Sequence, residues 1–164
     1  VQGLRGNEND KAESIENNLQ HEIVKKMSSN QVYYGKLSEM LQVLIDQRRI
    51  EAMSYEEYLR QVVELAQAIL HPEDSLDYPD TVKNSEARRA FYDYFAKNEN
   101  LAVNLDSAIL SALRPDWKRN FQKQQNIRLA IYENLLIYGY DEDEATAETA
   151  AVFEITERQA EYDV

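Results

Sequence analysis

Two histidines, His21 and His71, are the only imidazoles in this 164-residue chain, and cysteine is absent. Nucleophilic catalysis of the serine or cysteine type needs a hydroxyl or thiol held against a base, most often a histidine. Both histidines stand in polar company near expected helix ends, where a surface or capping role is the simpler reading. Carboxylate-bridged metal sites in helix bundles use Glu-x-x-His on inward faces, yet Asn18 precedes His21 by three and Ala68 precedes His71 by three. Asp141, Glu142, Asp143 and Glu144 are consecutive rather than alternate. With no turn-forming glycine among them they do not build a calcium loop and read as a solvated helix start. Gly3, Gly6, Gly35 and Gly139 fit neither the Walker nor the dinucleotide-binding spacing. Pro79-Asp80 and Asp116-Trp117-Lys118 echo a metal-dependent nuclease signature, but such carboxylates sit on adjacent strands and no strand is predicted. No catalytic residue, no metal ligand and no bound cofactor is therefore expected within this chain.

Binding is the chemistry left. The net charge of −12 is uneven: residues 141–164 hold nine acids against Arg158 alone, a net of −8. Arg114, Lys118, Arg119, Lys123 and Arg128 face only Asp116, a local net of +4. With Trp117 and Phe121 interleaved, these cations form the candidate partner-binding set. They suit phosphates and stacked bases, and equally an acidic surface, on a partner or in the chain's own tail, with the aromatics as anchors. Overall negative charge repels DNA at long range, so protein contact is the expected role and DNA a secondary one. Tyr33, Tyr34, Tyr55, Tyr58, Tyr92, Tyr94, Tyr132, Tyr138 and Tyr140 are more hydroxyls than a core usually satisfies. Some are expected at the rim of the core in water, or on a surface buried in an assembly.

The elements that must position these groups read as helices throughout. Glycine and proline number four and three, and apolar residues recur every three or four positions. This predicts an all-α, mostly antiparallel bundle of about six or seven helices. Val1 to Asn9 is polar, glycine-containing and aperiodic, so residues 1–11 are read as a tail from a longer parent, and 12–164 as one helical domain with candidate subregions 12–71 and 85–164. A first helix is expected over Ala12 to Met27, with Ile15, Leu19 and Ile23 on one face. A second runs from about Val32 to Glu51 with Tyr34, Leu37, Leu41, Leu44 and Ile45 as its stripe. Ser54 and Glu57 have capping-box spacing and open a third helix carrying Tyr55, Tyr58, Leu59, Val62, Ala66 and Ile69, antiparallel to the second. His71-Pro72 ends it. The aperiodic, acidic stretch from Pro72 to Asn84 is the expected hinge. Helices resume at Ser85 or Glu86, then after Asn98, then over Phe121 to Ile137 with a stop at Gly139, and finally after the acids at 141–144. No apolar run reaches 18 residues, so no membrane span or signal peptide is expected. The lack of cysteine permits a reducing cytoplasm.

The ordered succession of these segments carries a family resemblance. Tyr33-Tyr34-Gly35-Lys36-Leu37-Ser38-Glu39-Met40-Leu41 is followed by Leu44-Ile45-Asp46-Gln47-Arg48-Arg49, then by Ser54-Tyr55-Glu56-Glu57-Tyr58-Leu59 and Val63-Glu64-Leu65-Ala66. Arg88-Arg89-Ala90-Phe91-Tyr92-Asp93, Asn98-Glu99-Asn100-Leu101-Ala102, Asp116-Trp117-Lys118-Arg119-Asn120 and Arg158-Gln159-Ala160-Glu161-Tyr162 complete the order. From Glu13 to Tyr162 the chain resembles the helical C-terminal region of the R (restriction and motor) subunit of type I restriction-modification enzymes. One departure is Arg119, where the family pattern has glycine. The resemblance implies a parent that is an ATP-dependent, site-specific deoxyribonuclease and DNA translocase, with its nuclease and motor domains upstream. ATP and Mg would then belong to those upstream domains, and no catalytic residue carries over to this chain. It further implies a cytoplasmic assembly domain that docks the subunit on the methyltransferase and specificity subunits. The alternative is a DNA-contacting module that guides duplex near the motor.

Overall fold

The computed structural model describes residues 2–164, with side chains from residue 6 onward. Among the described residues there are seven α-helices, four short 3-10 turns and no strand. The all-α expectation therefore holds. The chain divides into two compact units, one running to Ser75 and the other spanning Leu76–Val164.

The first unit is a three-helix bundle of α1 (Gln2–Lys26), α2 (Gln31–Arg49) and α3 (Tyr55–Leu70), each packed on the other two. α1 begins ten residues ahead of Ala12, so the stretch read as an aperiodic tail is helical from Gln2; Val1 lies outside the described residues. Glycines and polar residues lower the local helix propensity there without forbidding the helix. Asn30 caps α2 by accepting from the Tyr33 N–H, and Ser54 caps α3 by accepting from the Glu57 N–H at 3.1 Å. Such a cap is worth about 1 kcal/mol. The return half of the capping box gives way to another use of Glu57: its carboxylate accepts from Arg60 and Gln61 along the helix. Those bonds hold the Glu57 carboxyl down at about 2.

All five residues of the α2 stripe are buried, and Tyr58, Val62, Leu65 and Ile69 meet them from α3. Leu65 takes the core position expected of half-buried Ala66. Up-down-up topology follows from the pairings. The Tyr33 hydroxyl near the start of α2 donates to the Ala68 carbonyl near the end of α3, while Lys26 at the end of α1 donates to the Ile69 carbonyl. On α1, Ala12 and Ile23 are buried, whereas Ile15 and Leu19 are half-buried and pack against the core edge.

The second unit joins α4 (Glu86–Tyr94), α5 (Glu99–Ala112), α6 (Phe121–Ile137) and α7 (Glu142–Glu157) in a closed ring, each helix packing on the next and α7 returning to α4. Ser85, Asn98, Asn120 and Asp141 each accept from a backbone N–H three residues on, so local side-chain chemistry sets every helix start. α6 ends at Gly139 (φ 93°): its N–H reaches Leu136 O and that of Tyr140 reaches Leu135 O, the paired bonds of a Schellman cap. Ile109, Ile127, Ile131, Leu135 and Val152 are fully buried at the ring's centre, each contributing about 1.5–3 kcal/mol. The connection before α4 is packed rather than loose, since Val82 is fully buried and Tyr78 nearly so. No helix of the described residues is long and apolar enough to cross a membrane.

Candidate functional site

The two histidines do not approach a nucleophile. His21 lies exposed five residues before the end of α1, and His71 caps the C-terminus of α3 with Nδ1 3.1 Å from Glu73 Oε1. His71, Glu73 and Asp74 bring ligand atoms within 4.8 Å of one another, at a spacing that matches no metal-binding motif. The trio sits in one turn at the surface.

Two buried carboxylates each organise a polar cluster, one in each unit. Glu16, 4% exposed, accepts from Arg48 through Nε at 2.7 Å and Nη2 at 3.0 Å, and from the Tyr58 hydroxyl at 2.8 Å. Burial and this carboxylate push the Tyr58 phenol well above its ordinary value. In the second unit Asp106, also 4% exposed, accepts from Arg88 Nε at 2.7 Å and from the Tyr162 hydroxyl at 2.6 Å. Tyr162 is fully buried, and burial with Asp106 drives its phenol strongly upward. Each acid faces an arginine and a tyrosine, so charge and lone pairs are met internally. These are clasps that close the bundles.

Part of the tyrosine surplus resolves the same way, Tyr33, Tyr58, Tyr94 and Tyr138 among it. Tyr78 donates to Asp93, Tyr94 to Glu148, Tyr33 to the Ala68 carbonyl, and Tyr138 bonds Asn104. Burial first, then Glu148, raises Tyr94 to about 12. A chain rich in acids supplies acceptors for its own phenols, which sequence distance hides, so hydroxyl number alone does not call for an assembly surface.

The basic segment is positioned by the turn before α6. Asp116 adopts φ 60°, the left-handed region, and Trp117–Arg119 form a 3-10 turn. Asp116 thus makes the reversal ahead of Arg119 without a glycine. The indole of Trp117 points inward: it is 1% exposed, donates Nε1–H to Tyr162 O at 2.8 Å, and meets Phe153 edge-on. Trp117 is therefore a core residue and has no surface to offer as a partner anchor, because its large apolar area is already spent on the ring's centre.

The cations divide into two groups. Lys118 pairs with Asp163 and lies 5.5 Å from the Trp117 ring centroid. Arg114 donates to the Ser111 and Leu113 carbonyls, Lys123 to the Pro115 carbonyl, and the Arg128 guanidinium lies 3.8 Å over the Phe153 ring. Arg119 is exposed, as is Phe121 at 72%. Of the seven residues singled out, Arg114, Lys118, Arg119 and Phe121 are exposed, and Arg114 and Lys118 are engaged in the contacts above, so Arg119 and Phe121 form the outward pair.

What the patterning left unremarked is the second apolar stripe of α6. Phe121, Leu129, Tyr132 and Leu136 recur at helical spacing on the side away from Ile127, Ile131 and Leu135, and the three apolar members are exposed. Beside it, Leu129 and Tyr132 with Thr146, Thr149 and Ala150 of α7 line a groove of about 520 Å³. Runs of Leu and Ile on both sides of one helix are the readable signal, and only the fold tells which side is covered.

No curated protein and no solved structure matches the chain. A family model does, over residues 5–162: the type I restriction enzyme HindI endonuclease subunit-like family, C-terminal domain. That span takes in both bundles, their buried clasps and the α6 surface, and the chain belongs to this family of C-terminal domains of type I restriction endonuclease subunits.

Proposed function

We propose that this domain is a non-catalytic assembly module, docking the endonuclease and translocase subunit on the methyltransferase and specificity subunits through the outer surface of α6. The observation that carries the reading is the exposed Phe121 beside exposed Arg119, continued along α6 by Leu129 and Leu136. A bulky aromatic next to a free guanidinium is the pairing from which interface hot spots are built, and an apolar stripe of this length exceeds scattered surface hydrophobics. The clasps at Glu16 and Asp106 have their charges met internally, which suits a structural part and leaves ATP and Mg to other domains of the subunit.

The test is charge and shape reversal at the surface pair. Arg119→Glu with Phe121→Ser should lower the affinity of the intact subunit for its methyltransferase–specificity complex by tenfold or more, with helicity unchanged. Undiminished co-purification would overturn the reading.

A DNA-contacting role is the alternative, favoured by Arg119 and Phe121 as a phosphate contact and a stacking ring. Against it, Asp163 neutralises Lys118, and Arg114 and Lys123 are turned onto backbone carbonyls. The discriminator is a salt titration: a DNA-guiding domain loses duplex affinity steeply as salt rises, whereas a docking domain shows no such binding.

A further inference from the structure

The groove between α6 and α7 has a chemistry of its own. Its α6 wall is Gln125, Arg128, Leu129 and Tyr132, with the Arg128 guanidinium drawn over the Phe153 ring, and its α7 wall is small: Thr146 and Ala150 present no more than a methyl or a hydroxyl. Small residues let a partner backbone come close while the large ones opposite supply buried area. Following Thr146 and Ala150 along α7 at steps of three and four gives Asp143 toward one end and Glu154 and Glu157 toward the other, all exposed. A carboxylate therefore stands at each end of the small-residue wall. The groove also holds an unmet polar group. Thr149, 8% exposed, lines it, and its buried hydroxyl has no hydrogen-bond partner among the described residues, an arrangement that costs free energy.

We infer that the α6–α7 groove receives a basic amphipathic helix from the methyltransferase–specificity complex, its apolar face against Leu129 and Tyr132 and its lysines or arginines against Asp143, Glu154 and Glu157. This inference rests on the docking reading above and names the occupant of that surface. Both walls are helices, and the line of carboxylates along α7 from Asp143 to Glu157 runs about 21 Å. That matches a partner helix of about four turns whose apolar anchors, at i and i+3 or i+4, meet Leu129 and Tyr132. The sign of the rim selects the partner. Carboxylates repel the DNA backbone and an acidic helix, and attract a basic one.

Two measurements on the intact subunit decide it. A photo-crosslinking residue at Gln125, on the groove's edge, should capture within the assembled complex a peptide with helical apolar spacing flanked by lysine or arginine. Glu154→Lys with Glu157→Lys should weaken assembly about tenfold at low salt, and less as salt screens the rim. Capture of an acidic segment or of DNA, no capture in an intact complex, or an unchanged affinity of the double variant would overturn the inference. A subunit lacking residues 76–164 separates the two levels. If it still assembles, the docking reading itself fails; if assembly is lost but Gln125 captures nothing, only the groove assignment fails.

Discussion

Tyr162 and Arg88 grip opposite oxygens of the Asp106 carboxylate, the hydroxyl at 2.6 Å from Oδ1 and the guanidinium Nε at 2.7 Å from Oδ2. Three segments far apart in sequence thus share one buried acid. Removing the acid strands both donors, and removing the phenol leaves the ion pair standing. Asp106→Ala should cost about 3 kcal/mol, the low end for a broken buried pair because the Arg88 side chain is 26% exposed. Tyr162→Phe should cost about 1–2 kcal/mol. Urea unfolding of the two variants checks the order; a larger loss for Tyr162→Phe would show that the carboxylate is not the hub.

The first bundle makes a parallel case with a different balance. Arg48 and Glu16 are 10% and 5% exposed as side chains, so water helps little when either is left alone. Glu16→Gln keeps the shape and removes the charge, and should destabilise the bundle by about 3 kcal/mol. Replacing both, as Glu16→Met with Arg48→Met, should recover most of that loss, because the desolvation of two ions disappears with them. Equal stability of the single and double variants would refute this account.

Alkaline pH is the condition under which the phenol clasps fail. A tyrosine whose folded value lies above the unfolded value of about 10 favours the native state while neutral. Its contribution is whole below about pH 10 and is lost as pH climbs through the folded value. For Tyr94 that window runs from about 10 to about 12, and Tyr58, Tyr140 and Tyr162 are shifted in the same direction, burial being the leading cause in each. Urea midpoints should therefore stay level up to about pH 9 and fall beyond about 10. Near-ultraviolet absorbance should show part of the phenolate signal appearing only with unfolding. A full phenolate signal at about pH 10.5 in a still-folded protein would contradict it.

Local chemistry made much of the fold legible. Ser54, Ser85 and Gly139 mark boundaries because a side-chain oxygen or a free φ acts on backbone within a few positions, and the Leu37, Leu41 and Leu44 stripe declares its buried face by spacing alone. The candidate site was less readable. Trp117 stands among cations in sequence, yet it is anchored by a carbonyl 45 positions away, and Asp106 looks like any polar residue of α5 until Arg88 and Tyr162 arrive. The two apolar sides of α6 are equivalent in sequence. Packing by α5 and α7 covers one and leaves the other, a choice made by tertiary contact that no periodicity encodes.

Glu161 accepts from the Ala87 N–H and the Ser85 hydroxyl at the first turn of α4, across 74 and 76 positions. On the ribosome, that turn emerges long before the carboxylate that finishes it, and the pocket for the Trp117 indole stays open for the same interval. Closure of the second bundle must then come late and abruptly, when residues 158–163 clear the exit tunnel. Until that moment the ring behind the α6 surface lacks its last buried contacts, so a partner meets a fully braced face only once residues 158–163 are in place.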